Sequence, residues 1–590
     1  MKKTTNKNSV VTIIIRIFSI ALKITPLFVG LIFSVGVISS ISQGVITIQT
    51  QRMIDTATNL LSDKTTYSNT VLQCSLLCLA IIISQMLNGF HNYVYDLYIN
   101  IMKNKLGKIL NDKMNQIDPI LFEDSEFLNI INKAKVGMEN SIEVLLVFGD
   151  IFTYYIPYFI FMGIYLCRIK SDFLVFLLLI FVPVLLSQLI RMKLYGKLET
   201  KSANLRRKMG HYEECVSDIN YIKETRINSS LYYFRRKFLN ILKEYNKNVT
   251  DTAKKSNKYE LILDSITLLG YIYILWMLAR SLFNNEISIG VFAAVYASIS
   301  NMFNMMEEII RYNLGNIAEN IGTVENFMKF FDYETIKISR DQEDYARDIS
   351  LNNVTFYYPN QKYPAIEGVS LTIHPKEVVA IVGKNGSGKS TLVNIILGLY
   401  HPTSGSVEIG KLKRDSNVLH YNGISSVFQR FQKYKLNLDD NIRLSDFEND
   451  KVIRESLYTA NIEKLYSKHS DTILSTEFNG IDLSLGQWQR VAIARAVYKD
   501  FKLIALDEPT ASIDAMEEDA LYNKFEMITK GKTAIIVTHR LGSVHLANRI
   551  IVMDKGKIVE SGTHNELLNL NGVYKRMFVA QSENYLGKSN

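Results

Sequence analysis

The chain has 590 residues, more than one hydrophobic core of about 250–300 residues can organise, so its length predicts at least two domains. Its net charge of +9 is the total over two unlike halves, a very apolar first half and a polar second half. The charge alone therefore does not indicate a nucleic-acid partner. The four cysteines show neither metal-ligand nor disulfide spacing, which argues against a zinc site and a disulfide framework.

The chain begins with the basic and apolar stretch MKKTTNKNSVVTIIIRIFSIALK, in which Arg16 and Lys23 interrupt the apolar run. No small-residue cleavage site follows, so we predict a cytosolic lead-in helix rather than a signal peptide. Six segments of bilayer-spanning length come next. They are roughly Leu27–Ile48, Val71–Tyr93, Ile142–Cys167, Phe173–Ile190, Leu261–Phe283 and Ile289–Ile310.

The connectors between these segments differ in charge. The stretches from about 97 to 141 and from about 192 to 257 carry six and fifteen Lys or Arg residues, and the short connectors carry few. Because basic loops stay in the cytoplasm, we predict cytoplasmic termini and two long inner loops that project as helical extensions. Basic helices that bind nucleic acid would not be flanked by spanning segments, so no nucleic-acid partner is predicted.

After about Arg340, runs of β-branched residues alternate with helical patterns, which is typical of an α/β domain with a largely parallel sheet. The weakly periodic, charged stretch before this point marks a boundary. We predict a transmembrane domain over 1–332, a linker over 333–347 and an α/β domain over 348–590.

The segment GKNGSGKST, Gly383–Thr391, follows the apolar run Val378–Val382 and leads into a helical pattern. In this strand–loop–helix context, the glycines let backbone N–H groups converge on phosphates at a helix N-terminus. We expect Lys389 to reach the β- and γ-phosphates and the Ser390 hydroxyl to ligate Mg²⁺. The segment therefore predicts nucleotide binding.

A second apolar strand, in KLIALDEP (Lys502–Pro509), ends in two carboxylates. Asp507 can hold the metal through water, and Glu508 can polarise an attacking water as a general base. A glutamate at this second position favours hydrolysis over binding alone.

Over nearly its full length the chain resembles an ATP-binding cassette (ABC) exporter half-transporter, because further landmarks occur in the family's order and spacing. Tyr358 in VTFYYP matches the aromatic residue that stacks on adenine, and its neighbour Tyr357 matches less well. Gln429 in SSVFQR matches the glutamine that senses the metal. His539 in AIIVTHR matches the switch histidine at the γ-phosphate, and Asp514 in ASID matches the loop that crosses to the partner.

The resemblance implies a multidomain membrane protein with ATP and Mg²⁺ as cofactors. An all-α six-helix transmembrane domain of the type I exporter (type IV ABC) fold would precede an α/β P-loop nucleotide-binding domain. The residues expected in catalysis are Lys389, Gln429, Glu508 and His539. Those expected at the metal are Ser390, Gln429 and Asp507. Those expected to contact nucleotide are Tyr358, Gly383, Lys384, Asn385, Gly386, Ser387, Gly388, Lys389, Ser390, Thr391, Ser484, Gly486, Gln487 and Asp514.

The segment LSLGQ, which contains Ser484 and Gly486, matches the family's signature motif. In this family the motif closes on the γ-phosphate held by the phosphate loop of a second copy. It therefore implies a head-to-tail homodimer with two ATP molecules at the interface. The chain departs from the family pattern at Leu485, where glycine is usual, and at Phe478, where an acid is common. We expect the Leu485 side chain to point away from the phosphate.

Two segments at the tips of the long inner loops, DPILFEDSEFLNIINKA and NYIKETRINSSLYYF, mix charged and apolar residues as short docking helices do. They resemble the family's two coupling helices, near 121–132 and 221–231. We therefore expect Phe122–Ile131 and Tyr221–Leu231 to contact the nucleotide-binding domains.

The runs VFQRFQKYKLNLDDNI and GQWQRVAIARA are similar to those of exporters of ribosomally made bacterial peptides, particularly lanthipeptides, that have no peptidase domain. This similarity implies export of a peptide across the bacterial plasma membrane, with membrane lipid and a lanthipeptide modification enzyme as further partners. The alternatives are a multidrug or lipid exporter, or a membrane-anchored sensor that uses ATP only to signal.

Acidic residues inside the spans are costly unless they face water or a partner. Asp150 lies within the tyrosine-rich spanning run VLLVFGDIFTYYIPYF, and Asp264 and the pair Glu307–Glu308 are further examples. Two interpretations stay open for these acids: a hydrogen bond that packs two helices, or a position in a substrate cavity.

Overall fold

The computed structural model describes residues 10–62, 65–309, 314–339, 343–448, 452–510, 515–539, 544 and 547–586. The chain divides into two compact units. The helical unit extends to Asp112 and resumes over Asn129–Asp332. The α/β unit combines Lys113–Leu128 with the chain from Tyr333 onward.

Long helices with short connectors make up the helical unit. They are α1 (Val10–Ile24), α2 (Pro26–Leu61), α3 (Tyr67–Asn115), α4 (Ser125–Asp150), α5 (Ile156–Ile169), α6 (Ser171–Ser217), α7 (Ile219–Ile227), α8 (Leu231–Phe283), α9 (Ile289–Glu307) and α10 (Leu314–Asp332), with a π-helical turn over Ile151–Tyr155 between α4 and α5. The last residues of α3 and the first of α4 belong to the α/β unit.

Six helical stretches in the described part of the chain are long and apolar enough to cross a membrane. They are Pro26–Leu61, Tyr67–Asn115, Ser125–Ile169, Leu179–Leu198, Leu231–Phe283 and Ile289–Glu307. Each overlaps one of the spans predicted from the sequence. The prediction of a six-helix, multi-pass membrane domain is therefore confirmed.

Polar contacts join the apolar helices to one another. The Ser288 hydroxyl accepts a hydrogen bond from the Val291 N–H at 3.1 Å and caps α9. In the next residues of α9, the Gly290 N–H donates to Asp55 Oδ1 of α2 at 2.9 Å. A Cβ at Gly290 would lie 2.4 Å from the Gln51 carbonyl oxygen, so glycine permits this close approach of the two helices.

Sheets organise the α/β unit. The strands are β1 (Lys337–Ser339), β2 (Ile349–Phe356), β3 (Ile366–Ile373), β4 (Val378–Gly383), β5 (Ser404–Ile409), β6 (Leu412–Lys413), β7 (Val418–His420), β8 (Gly423–Val427), β9 (Phe501–Asp507), β10 (Thr533–Val537), β11 (Arg549–Asp554) and β12 (Lys557–Gly562). The largest described sheet has the order β12-β11-β4-β10-β9-β8, parallel except for the edge strand β12. A second, antiparallel sheet has the order β3-β2-β5-β6.

The stretch predicted as a linker contains a strand. Lys337–Ser339 forms β1 and pairs in parallel with β7, with Lys337 opposite Val418. Backbone pairing with a distant strand, which the local sequence pattern does not reveal, orders this short piece of the chain.

Helices follow and separate these strands in the α/β unit. They are α11 (Lys389–Ile396), α12 (Leu438–Arg443), α13 (Arg454–Ala460), α14 (Glu463–His469), α15 (Leu485–Tyr498), α16 (Ala515–Thr529), α17 (His564–Asn569) and α18 (Val573–Leu586). The continuous apolar runs of β4, β9 and β10 are buried because helices lie over them. The predicted α/β fold of the second domain is confirmed.

The segment Lys113–Leu128, which enters the α/β unit from the loop between α3 and α4, packs on that unit's core. A 3₁₀ turn covers Pro119–Glu123, and Ile120 rests against the apolar cluster around β2, β4 and α11. The Tyr400 hydroxyl donates to Glu123 Oε1 at 3.0 Å. This segment overlaps the first predicted coupling helix. The second, Tyr221–Leu231, lies at the end of α7 and the start of α8, and its contacts stay a prediction.

Replacing Gly290 with Ala is expected to lower the thermal stability of the detergent-solubilised protein, because the new Cβ overlaps the Gln51 carbonyl and Asp55. Overpacking of this kind costs about 1–3 kcal/mol. The matched control is Gly89→Ala, since a Cβ at Gly89 has no heavy atom within 4 Å in the described structure. Melting followed by size-exclusion chromatography compares the two, and equal melting temperatures would contradict the packing argument.

Candidate nucleotide-binding site

The carboxyl ends of the parallel strands meet at one edge of the large sheet, where open α/β sheets bind ligands. The phosphate loop leads from Gly383, the last residue of β4, to α11. Gly388 precedes α11 with a φ of 99°, and a Cβ there would lie 2.7 Å from the Ala365 carbonyl oxygen. Residues 384–386 are exposed, whereas the Ser387 hydroxyl is buried and has no hydrogen-bond partner within the described residues. The loop thus presents exposed backbone and an unused hydroxyl to a ligand.

Lys389 begins α11, and its ammonium group is largely buried beneath the loop. Nζ donates to the carbonyl oxygens of Gly383 at 2.9 Å and of Lys384 at 3.0 Å. Burial lowers the pKa of Lys389, while the nearby carboxylates of Glu508 and Asp507 oppose that effect. An ammonium group has three donors, so one is left for a phosphate oxygen.

Asp507 is the last residue of β9 and is buried. Burial raises the pKa of Asp507, and a hydrogen bond with the Ser390 side chain opposes the rise. The Ser390 hydroxyl and the Asp507 carboxylate therefore lie side by side, and both are predicted metal ligands. Hydroxyl and carboxylate oxygens suit Mg²⁺, which is bound through one or two carboxylates together with substrate phosphates.

Glu508 follows β9 and is held through both carboxylate oxygens. Gln429 Nε2 donates to Glu508 Oε2 at 2.8 Å. His539 Nδ1 lies 3.0 Å from Glu508 Oε1. The fold thus brings together three predicted catalytic residues from separate parts of the chain, one after β8, one after β9 and one after β10.

The backbone of Glu508 is strained. Its φ is 50°, in the left-handed region that residues other than glycine rarely adopt. Its N–H donates to the Val537 carbonyl oxygen at 2.9 Å, and its carbonyl oxygen accepts from Gln489 Nε2 at 3.2 Å. Gln489 is a buried residue of α15 that the sequence reasoning missed. A glutamine within a helix carries no local signal of which distant carbonyl it will reach.

Tyr358, the predicted adenine-stacking residue, is half-buried next to the phosphate-loop helix. Its hydroxyl lies 3.0 Å from Thr391 Oγ1 of α11. Its ring meets those of Phe356 and Tyr400 edge to face, with centroids 5.2 and 5.9 Å apart. Tyr357 is 40% exposed. Tyr358 is therefore the tyrosine anchored beside the loop.

The signature segment forms the start of α15. Ser484 is the N-cap: its hydroxyl accepts from the Gln487 N–H at 3.3 Å, and Gln487 Oε1 accepts from the Ser484 N–H at 2.9 Å. Both residues are exposed, Gly486 lies between them in the first turn, and Leu485 is 53% exposed. A capped helix start with exposed polar groups favours an anion. Asp514 lies outside the described residues.

The comparisons with known proteins agree with this geometry. A family model described as ABC transporter matches residues 366–511. The subtilin transport ATP-binding protein of Bacillus subtilis is 31% identical over 401 residues, 65% of this chain and 64% of that protein. The nisin transport ATP-binding protein of Lactococcus lactis subsp. lactis is 30% identical over 374 residues, 61% of this chain and 62% of that protein. The matches thus span less than two thirds of these two relatives.

Other relatives are named for other functions. The ATP-dependent lipid A-core flippase of Pasteurella multocida is 29% identical over 339 residues, 55% of this chain and 56% of that protein. Among solved structures, a bacterial Atm1-family ABC exporter with ATP bound matches with a TM-score of 0.70 and 17% identity, covering 95% of this chain and 99% of that one. At this identity the match shows the fold alone.

Replacing Lys389 with Ala is expected to weaken nucleotide binding by at least about tenfold, because it removes a charge-assisted bond to phosphate. Titration with a fluorescent ATP analogue measures the change. Lys376→Ala is the control. Lys376 is exposed in the turn before β4, so this substitution removes the same charge outside the loop. Equal affinities for the wild type and Lys389→Ala would show that this loop does not hold the phosphates.

Proposed function

We propose that this chain, an ABC exporter half-transporter by its fold and its nucleotide-binding domain, hydrolyses ATP to export a ribosomally made peptide of the lanthipeptide class. The peptide leaves the bacterial cytoplasm across the plasma membrane, and both chain termini lie in the cytoplasm. Two copies of the chain form the transporter and alternate between inward-facing and outward-facing shapes. ATP and Mg²⁺ are the ligands of the soluble units.

The observation that supports hydrolysis is the contact of Glu508 with Gln429 and His539 at the edge that also holds Lys389. Lys389 would bind the β- and γ-phosphates, and Ser390, Asp507 and Gln429 would hold Mg²⁺. The metal, when bound, neutralises charge on the phosphates. Glu508 would take a proton from the attacking water, and His539 would contact the γ-phosphate.

The same contacts indicate how hydrolysis is held back. Each carboxylate oxygen of Glu508 already faces one donor, so Gln429 and His539 compete with an attacking water for this carboxylate while they stay in place. If the amide oxygen of Gln429 turns to the metal and His539 turns to phosphate, the carboxylate becomes available. Nucleotide binding would then expose the general base only when its substrate is present.

The exposed start of α15 supports the dimer. Ser484 and Gln487 bond to each other and leave the serine O–H proton for an anion at the helix N-terminus. In a head-to-tail pair, the signature segment of one copy would close on the γ-phosphate bound by the other. Leu485 is exposed at that surface, and we expect its side chain to point away from the phosphates. Each ATP would then be held between two helix starts.

Similarity to the subtilin and nisin transport proteins supports a peptide cargo. A cation leaving a cell that is negative inside must be driven, at about 2.3 kcal/mol per charge per 100 mV. Three charges would need roughly 7 kcal/mol, which requires coupling to ATP. A lanthipeptide modification enzyme would be a further partner. Similarity to the lipid A-core flippases keeps a lipid or multidrug cargo as the alternative.

Glu508→Gln is expected to lower the rate of ATP hydrolysis by at least about 100-fold, since it removes the general base while keeping the side chain's shape. ATP binding should persist, and the dimer should accumulate because the nucleotide is not consumed. Phosphate release and size-exclusion chromatography with ATP measure the two effects. A variant that stays monomeric with ATP would contradict the sandwich dimer.

Gln489→Met is expected to lower kcat about tenfold and to leave the KM for ATP nearly unchanged, because Gln489 positions Glu508 without touching nucleotide. In the Glu508→Gln background the same change should have little further effect, since both act through one carboxylate. Additive losses in the double variant would show that Gln489 acts elsewhere.

Inverted vesicles test the cargo. Vesicles that contain the wild-type protein should accumulate a leader-bearing lanthipeptide precursor when ATP is added, and Glu508→Gln vesicles should not. Accumulation of lipid or drugs but not of peptide would favour the alternative exporter. Hydrolysis without transport of any cargo would favour an ATP-dependent sensor.

A further inference from the structure

Three polar side chains from apolar spans meet inside the helical unit. They are His91 of α3, Asp150 at the end of α4 and Thr153 in the π-helical turn. His91 Nε2 lies 3.7 Å from Asp150 Oδ1, which is too long for a hydrogen bond. A Cβ built on Gly36 of α2 would lie 2.5 Å from Thr153 Oγ1 and 3.6 Å from His91 Nε2. The three polar atoms therefore converge beside the backbone of α2.

None of these three atoms has a hydrogen-bond partner within the described part of the chain. His91 and Thr153 are nevertheless only 9% and 1% exposed. Buried polar atoms are nearly always paired, and lipid supplies no donors. The place is thus short of hydrogen-bond donors among the described residues.

The π-helical turn contributes to this arrangement. It begins directly after Asp150 and contains Thr153, so the helix is locally widened where the two side chains face α2 and α3. Such turns are rare in proteins as a whole, and those that occur often lie at functional sites. With no hydrogen bond found for Asp150 Oδ1, helix packing alone does not account for this acid.

We propose that His91 Nε2, Asp150 Oδ1 and Thr153 Oγ1 form a binding site for a primary ammonium group of the cargo, such as a lysine side chain. An ammonium group carries three N–H donors and no acceptor, which matches three unpaired acceptors when the imidazole is neutral and protonated on Nδ1. Its charge would offset that of the Asp150 carboxylate. This inference rests on the proposed export of a peptide and names the chemical group that the helical unit recognises.

The distances define what binding requires. Two acceptors that each lie about 2.8 Å from one tetrahedral nitrogen are about 4.6 Å apart. His91 Nε2 and Asp150 Oδ1 are 3.7 Å apart in the structure, which corresponds to a closed site. The distance between these two atoms would have to increase by about 1 Å to admit the nitrogen. The Asp150 side chain is 23% exposed, so the ligand approaches from its open side. Gly36 permits the close approach of α2 to Thr153, since a Cβ there would lie 2.5 Å from Thr153 Oγ1.

Other cations fit less well. A guanidinium group is planar and carries five donors in a rigid fork, more than three acceptors can satisfy. Among the described residues, no group of three or more His, Cys, Asp or Glu side chains is placed to hold a metal ion. The site therefore favours lysine over arginine and over a metal.

The test uses the full chain in nanodiscs of zwitterionic lipid and fluorescently labelled pentalysine. Pentalysine is expected to bind at least about tenfold more tightly than its Nε-acetylated form and more tightly than pentaarginine. Asp150→Asn should lose about tenfold in pentalysine affinity. The matched control is Asp172→Asn, the same change at an exposed acid in the first turn of α6. This variant should bind pentalysine as tightly as the wild type does. Equal binding of the acetylated peptide, or full affinity in Asp150→Asn, would overturn the proposal.

Thr153→Val separates ligand recognition from folding. It replaces an unpaired buried hydroxyl with a methyl group of the same size, so the ligand-free protein should melt at a higher temperature. The stabilisation by pentalysine should shrink at the same time. A lower melting temperature without ligand would show that the hydroxyl is paired and would remove it from the site.

ATP hydrolysis without peptide distinguishes this inference from the proposed function. A wild type that hydrolyses ATP and binds acetylated and unmodified pentalysine equally refutes the ammonium site alone. A wild type with no ATPase activity refutes the proposed function, and selective pentalysine binding would still establish the site.

Discussion

The chemistry proposed for the α/β unit depends on the position of one carboxylate, that of Glu508. Its backbone has a φ of 50°, which costs of order 1–3 kcal/mol for a residue with a side chain. Contacts with four neighbours retain this conformation: Val537 on β10, Gln489 on α15, and Gln429 and His539 at the carboxylate. These contacts keep the carboxylate at the edge of the sheet, next to Asp507 at the end of β9.

This arrangement ties two binding surfaces of one chain together. Gln489 lies one turn after the exposed start of α15, and its amide bonds to the backbone of Glu508. In the proposed dimer, the start of α15 would serve the ATP of the partner, whereas Glu508 would serve the ATP of its own chain. A displacement of α15 on closure would therefore reach the general base through one hydrogen bond. The two composite sites would respond to each other without any further element.

Much of the fold could be predicted from the sequence because its signals are local. Each of the six apolar runs of spanning length can be recognised in a single short window of sequence. The same holds for the strand that is followed by a glycine-rich loop and a helix. The strand–loop–helix surroundings of Lys389 could be recognised in the same way, since this loop is contiguous in sequence. Gln489 could not, because its partner is 19 positions away on a different element.

The cluster in the helical unit was also only partly foreseen. Asp150 could be singled out as a charge in an apolar run, but the sequence left open whether it packs helices or lines a cavity. The answer depends on His91 and Thr153, and on how closely Gly36 lets α2 approach them. Helix packing sets these distances, and no short window of sequence contains it.

A single helix connects the two places where function is proposed. α3 carries His91 among the apolar spans, and its last residues belong to the segment Lys113–Leu128 in the α/β unit. There the Tyr400 hydroxyl bonds to Glu123, and the Tyr400 ring contacts Tyr358, which in turn bonds to Thr391 of the phosphate-loop helix. Tyr358, the residue proposed to stack on adenine, is therefore linked through Tyr400 to the segment Lys113–Leu128. α3 is one hydrogen-bonded helix that carries both His91 and the first residues of that segment.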